Sequence, residues 1–177
     1  MKIAVYCASS NQIHEKYQQA AREFAQAACL RDYTILCGGV DLGLMKTFCD
    51  EVTAAGGNVV GVIPHFMCEK GLHSTNLTET VYVHTMADRK AYLRAEADAV
   101  VAFPGSIGTV DEFIEVLVLK KLKQFDGKVI LYNYEGFWNP FIEMLNHFVK
   151  ESVFDKADFD KMIIAETLDQ LLEVLEK

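Results

Sequence analysis

Apolar residues fall along this chain in two alternating patterns. Short runs rich in valine and isoleucine are "KIAVYCA" (Lys2–Ala8), "YTILC" (Tyr33–Cys37), "NVVGVI" (Asn58–Ile63), "TVYVHT" (Thr80–Thr85), "DAVVAF" (Asp98–Phe103) and "KVILY" (Lys128–Tyr132), with a weaker one at "MIIAE" (Met162–Glu166). They do not alternate cleanly with polar residues, as expected of strands covered on both faces. Between them the apolar residues recur at helical spacing. Ile13, Tyr17, Ala20, Ala21, Phe24, Ala27 and Ala28 share one helix face. Further helices are predicted over Gly43–Ala55, Met86–Ala97, Thr109–Gln124, Trp138–Val149 and Leu168–Glu176. Strand and helix in alternation predict an α/β fold, a Rossmann-like doubly wound parallel sheet with right-handed crossovers. No linker, repeat or low-complexity tract interrupts the pattern, so residues 1–177 are expected to form a single domain.

Composition narrows the function classes. The chain is 51% hydrophobic and 24% charged, in the range of soluble globular proteins. Its net charge of −8 argues against a nucleic-acid partner, while leaving room for a local basic pocket that takes a small anion. No apolar run is long enough to span a bilayer, and "MKIAVYCASS" reads as a first strand rather than a signal peptide. A cytoplasmic protein without membrane partners is expected. Cys7, Cys29, Cys37, Cys49 and Cys68 are odd in number and lack CxxC spacing, the usage of free thiols in a reducing compartment. The histidines show no paired metal-ligand spacing, so no metal is implied.

The candidate chemistry sits at strand ends, where open parallel sheets bind their ligands. "FPGSIGTVDEF" (Phe103–Phe113) ends a buried strand in small hydrogen-bonding residues and opens a helix. Gly105 and Gly108 can adopt positive φ and admit a ligand close to the backbone. Thr109 is placed to start the helix, whose free N–H groups and dipole favour an anion. The same residues support a second reading, because Thr109 and Glu112 have the spacing of a capping box that would satisfy the helix end without a ligand. The two readings stay open at this point, and they are compatible. "CGGVDLGLMK" and "CASSN" bring glycines, hydroxyls and an amide to the same sheet edge. "MADRKAYLRAEAD" adds Arg89 and Lys90 in the first turns of a helix, the end where the dipole disfavours cations. A solvated helix face accounts for such charges, and so does a role in a pocket.

Together "CASSN", "CGGVDLGLMK", "VIPHFM", "MADRK" and "PGSIGTVDE" resemble, in order and spacing, the Lonely Guy family of nucleoside 5′-monophosphate phosphoribohydrolases, many of them misnamed lysine decarboxylases. The likeness runs from about Met1 to Val149. It implies a Rossmann-like homodimer with active sites near the subunit interface, acting on a nucleoside 5′-monophosphate such as AMP or a modified adenylate, with no cofactor. By position it implies Arg89 and Glu112 as catalytic residues, Lys90 beside the arginine as substrate-binding, and the stretch Gly105, Ser106, Ile107, Gly108, Thr109, Val110 and Asp111 as the nucleotide-holding loop. The implied reaction cleaves the N-glycosidic bond to free base and ribose 5-phosphate through an oxocarbenium-like transition state. A non-catalytic carrier of a phosphorylated ligand is the alternative on the same scaffold.

The chain departs from the family pattern at several places. Ser106 stands for the second glycine of PGG, Ile107 for a frequent tyrosine, Val40 and Lys46 for glycines, and Ala87 for a histidine. Gly71 stands where many members carry a glutamate, and Val118 and Lys121 where they carry threonine and glutamine. Were the Ser106 position left-handed, serine there would cost about 1–2 kcal/mol.

Overall fold

The computed structural model describes residues 1–177. In chain order the elements are β1 (Lys2–Tyr6), α1 (Glu15–Cys29), β2 (Thr34–Cys37), α2 (Gly43–Ala54), β3 (Asn58–Pro64), α3 (His65–Glu69), β4 (Glu79–Val83), α4 (Met86–Glu96), β5 (Ala99–Ala102), α5 (Ile107–Lys121), β6 (Lys128–Tyr132), α6 (Asn139–Lys150), α7 (Lys156–Phe159), β7 (Met162–Ala165) and α8 (Leu168–Glu176). All seven predicted strands are present. They form one parallel sheet in the order β4-β3-β2-β1-β5-β6-β7. Two short helices, α3 and α7, lie outside the predicted set, because five and four residues are too few to show a helical period.

The runs that form β1, β2, β3, β5 and β6 are buried on both sides, as their lack of alternation implied, whereas the edge strand β4 is largely uncovered, with Tyr82 55% exposed. Along β1, Ile3 and Val5 pack under α1 and α2, while Ala4 and Tyr6 pack under α4 and α5. The same split divides β5, with Ala99 and Val101 on one face and Val100 and Ala102 on the other. Two apolar layers therefore sandwich the sheet, which holds the strand ends rigidly. No helix is long and apolar enough to cross a membrane.

Strand order reverses between β1 and β5, so their following loops diverge. A crevice opens there by topology alone. The loops remain tied at their base: Phe103 N–H donates to the Tyr6 carbonyl at 2.8 Å, and Ala8 N–H donates to the Pro104 carbonyl at 3.1 Å. Phe103 anchors the junction. Its fully buried ring packs within 5.0–5.2 Å of the Phe24, Phe48 and Tyr132 rings. Truncation in such a cluster leaves a cavity, so Phe103→Ala should lower unfolding free energy by about 3–5 kcal/mol in a denaturant titration.

Candidate active site

The crevice between the β1 and β5 loops holds a cleft of about 330 Å³. One wall is apolar, made by Val40, Leu42, Met45, Met67, Leu72 and Met86. The other carries Arg89, Thr109, Asp111 and Glu112, with Ser106 and Gly108 from the start of α5. Arg89 and Glu112 come from different helices, 23 positions apart, and meet at 3.5 Å between Nη2 and Oε1. Both are buried, at 3% and 7% exposure. That separation exceeds the roughly 2.7–2.9 Å of a tight charge-assisted hydrogen bond. Arg89 Nε is buried without any partner, and its Nη1 faces only the thioether sulfurs of Met67 and Met86. Burial pushes the Glu112 carboxyl up from its ordinary value of 4.5, and the neighbouring Arg89 charge draws it back down.

Three local choices place Arg89. Thr85 ends the chain leading from β4 and caps α4: its hydroxyl accepts from Asp88 N–H at 3.1 Å, while the Asp88 carboxylate accepts from Thr85 N–H at 3.0 Å. Arg89 follows in the next position and turns inward. Gly38, just past β2, supplies the room: a Cβ there would stand 1.9 Å from Arg89 Nη2 and 2.6 Å from Cζ. In the sequence Gly38 is one of three glycines in "CGGVDLGLMK", and nothing there singles it out. A strand ending in paired glycines opposite an arginine-bearing helix was the available signal.

The loop after β5 departs from expectation in three respects. Helix α5 begins at Ile107 with Ser106 as its N-cap, so Thr109 is the third helical residue and the Thr109–Glu112 capping box does not form. Glu112 instead points across to Arg89. Neither Gly105 nor Gly108 has positive φ. Gly105 is required by a close approach, since a Cβ would lie 2.0 Å from Thr109 Oγ1 and 2.6 Å from Thr109 Cβ. Ser106 has φ −109° and ψ −156°, extended backbone open to any residue, so it carries no left-handed strain. No side chain caps α5, and its first turn closes with Val110 N–H on the Ser106 carbonyl. The N–H groups of Ile107, Gly108 and Thr109 precede that bond and have no intrahelical acceptor.

The remaining loop residues divide between two grooves. Lys90 points away from the cleft, its Nζ 3.0 Å from Asp111 Oδ2 and 2.7 Å from Glu115 Oε2. With Ile107 and Val110 it lines an open groove of about 660 Å³ between α4 and α5. Cys7 is at the floor of the cleft, where burial holds its thiol well above the ordinary value and keeps it neutral.

The chain is similar to known proteins. A family model described as "Possible lysine decarboxylase" matches residues 45–175. A probable cytokinin riboside 5′-monophosphate phosphoribohydrolase of Oryza sativa subsp. japonica is 31% identical over 176 residues, covering 99% of this chain and 72% of that protein. Another Oryza sativa cytokinin riboside 5′-monophosphate phosphoribohydrolase is 33% identical over 99% of this chain and 73% of its own. The chain belongs to the Lonely Guy family. Among solved structures, a molybdenum cofactor binding protein of Rippkaea orientalis superposes with a TM-score of 0.75 at 18% identity, over 99% of this chain and 94% of that one. The Chlamydomonas reinhardtii molybdenum cofactor carrier protein gives the same TM-score and identity, over 99% and 95%. At that identity the likeness is one of fold, and it bears out the Rossmann-like doubly wound sheet.

Gly38 gives a direct test of the site. The atoms a new Cβ would meet are the ends of flexible side chains, Arg89 and Met45, so Gly38→Ala should fold with a nearly unchanged unfolding midpoint. The guanidinium must move, however, and the base release proposed below should fall about 100-fold, the cost of misplacing a group that contacts substrate. Thermal denaturation and a base-release assay on the same preparation check both halves.

Proposed function

We propose that this protein hydrolyses the N-glycosidic bond of a nucleoside 5′-monophosphate, AMP or a modified adenylate, to free base and ribose 5-phosphate. The observation that carries the reading is the meeting of a buried Arg89 and a buried Glu112 at the uncapped N-terminus of α5. The free amides of Ile107, Gly108 and Thr109 suit a phosphate, helped by the helix dipole. Arg89, with Nε and Nη1 short of oxygen acceptors, positions the phosphoribosyl group. Glu112 faces the sugar, where a carboxylate stabilises positive charge developing at C1′ and orients water. The apolar wall of Leu42, Met45, Met67 and Leu72 suits the flat face of a base. Schiff-base chemistry of the kind a lysine decarboxylase runs needs a lysine in the site, and none lines the cleft.

A panel of nucleoside 5′-monophosphates, nucleosides and amino acids tests the proposal. Free base should appear from a monophosphate and not from the matching nucleoside. Release from the nucleoside alone would contradict the phosphate-binding role of α5.

Glu112→Gln separates catalysis from binding. A carboxyl whose value is raised by folding stabilises the fold below its unfolded value, and that stability is lost as pH rises through the raised folded value. Ionising the buried Glu112 therefore costs stability, and Glu112→Gln, which cannot ionise, should be at least as stable as wild type. It should still bind nucleotide while base release drops by orders of magnitude, and the acid limb of the wild-type rate should lie above the ordinary glutamate value. Arg89→Ala should also abolish turnover, with weaker binding, and the two losses should not add. Wild-type turnover by Glu112→Gln would favour the alternative, a carrier using the same amides without chemistry.

A homodimer is part of the proposal. Val118 on α5 and Phe148 on α6 are 47% and 37% exposed, and Leu122, just past α5, is 56% exposed. Val118 and Phe148 border an apolar groove of about 210 Å³ that Ile114 and Val153 also line. A second copy covering this face accounts for apolar residues beyond those that contact the sheet. Light scattering should give twice the chain mass, and Val118→Asp should reduce it to one.

A further inference from the structure

Sulfur surrounds the guanidinium. Arg89 Nη1 lies 3.8 Å from Met67 Sδ and 3.9 Å from Met86 Sδ, and Met45 lines the same cleft. A thioether is a weak acceptor, so these contacts shield the cation from water while leaving its N–H groups available. Nε has no partner, and Nη2 has only the long contact with Glu112. A strong acceptor created at either sulfur would occupy donors that otherwise meet a ligand. Access is graded: Met86, the first residue of α4, is 40% exposed, Met67 is half-buried, and Met45 is 7% exposed.

We propose that Met86, with Met67 behind it, is a reversible sulfoxidation site that silences Arg89, an inference that rests on Arg89 binding the anionic substrate. Hydrogen peroxide is the oxidant. The thioether sulfur attacks one peroxide oxygen, the O–O bond breaks, an S–O bond forms and water leaves. Sulfur loses two electrons and the peroxide gains them. The new sulfoxide oxygen accepts a charge-assisted hydrogen bond from Arg89 Nη1–H. It also turns part of the apolar wall polar. Methionine sulfoxide reductases reverse the change, whereas dithiothreitol reverses only thiol oxidation. That difference separates the methionines from Cys7, whose neutral buried thiol is a slow nucleophile.

The test treats wild-type protein and a Met67→Leu/Met86→Leu double variant with hydrogen peroxide, followed by dithiothreitol. Peptide mass mapping reads each methionine, with Met144, 42% exposed on α6, as a remote control of similar access. Wild type should gain oxygen at Met86 and lose about tenfold or more in kcat/KM and in calorimetric AMP affinity. Methionine sulfoxide reductase should restore both, and the double variant should hold its own starting values through the treatment. Arginine side-chain N–H resonances supply a readout free of any ligand, in which the Arg89 signal should shift on oxidation and return on reduction. Failure of AMP to bind untreated protein, with the Arg89 signal still shifting reversibly, would sink the nucleotide reading and keep the sulfoxide–arginine contact. The proposal is overturned by an oxidised Met86 with unchanged Arg89 signal and affinity, by an unoxidised Met86 when Met144 is fully converted, or by equal loss in the double variant.

Discussion

A guanidinium held out of water at the end of a parallel sheet is the constraint around which this site is arranged. Burying Arg89 and Glu112 removes both from solvent, and a pair separated by 3.5 Å recovers only part of that desolvation. The unpartnered Nε adds to the deficit. Such a site cannot hold itself together. The sheet does so, with strands buried on both faces and the aromatic cluster around Phe103 fixing the loops from below. Local dissatisfaction at the cleft and close packing beneath it are two sides of one arrangement, and ligand oxygens are what the unsatisfied groups lack.

The architecture was largely legible in the sequence because hydrophobic periodicity reports burial directly. Every predicted strand exists, and helices from Gly43, Met86 and Leu168 begin at the predicted residues. Errors came where short-range chemistry has more than one solution. Thr109 and Glu112 have capping-box spacing, yet α5 starts two residues earlier, because Pro104-Gly105 turns the chain and Ser106 in extended backbone already serves as the N-cap. A capping box forms at Thr85 and Asp88 instead, where aspartate takes the place of the more familiar glutamate. Ser106 raised a question of strain that only a backbone angle could answer. The pairing of Arg89 with Glu112 rested on family resemblance, since periodicity cannot show which helices face each other across a sheet edge. Gly38 carried only the indirect signal of paired glycines at a strand end, because its contribution is an absent side chain.

Two adjacent dipeptides explain how the site keeps its geometry. Arg89 and Lys90 are neighbours on α4, and Asp111 and Glu112 are neighbours on α5. Successive residues on a helix point about 100° apart. One member of each pair therefore turns into the cleft while the other reaches across the outer groove. The inner pair is Arg89 with Glu112, buried and long; the outer is Lys90 with Asp111, 3.0 Å apart and extended by Glu115 to Arg94. The outer rungs are partly exposed, and each is worth little in isolation. As a network they fix the spacing of α4 and α5, and that spacing sets the distance between Arg89 and Glu112.

Charge assignment completes the logic. To take the substrate proposed above, a chain of net charge −8 must attract a phosphate, and long-range field cannot help it. Lys90 contributes no free charge, because Asp111 and Glu115 neutralise it. What remains is short-range: the uncapped amides of α5 and one guanidinium whose carboxylate partner stands too far away to satisfy it. Glu112 is pushed toward protonation by burial, so an incoming phosphate that competes for Arg89 also weakens the interaction keeping Glu112 ionised. Phosphate capture and carboxylate ionisation are thus opposed through one guanidinium. In the hydrolysis proposed above, a positive charge developing on the ribose would restore what Glu112 loses, and only as the glycosidic bond breaks.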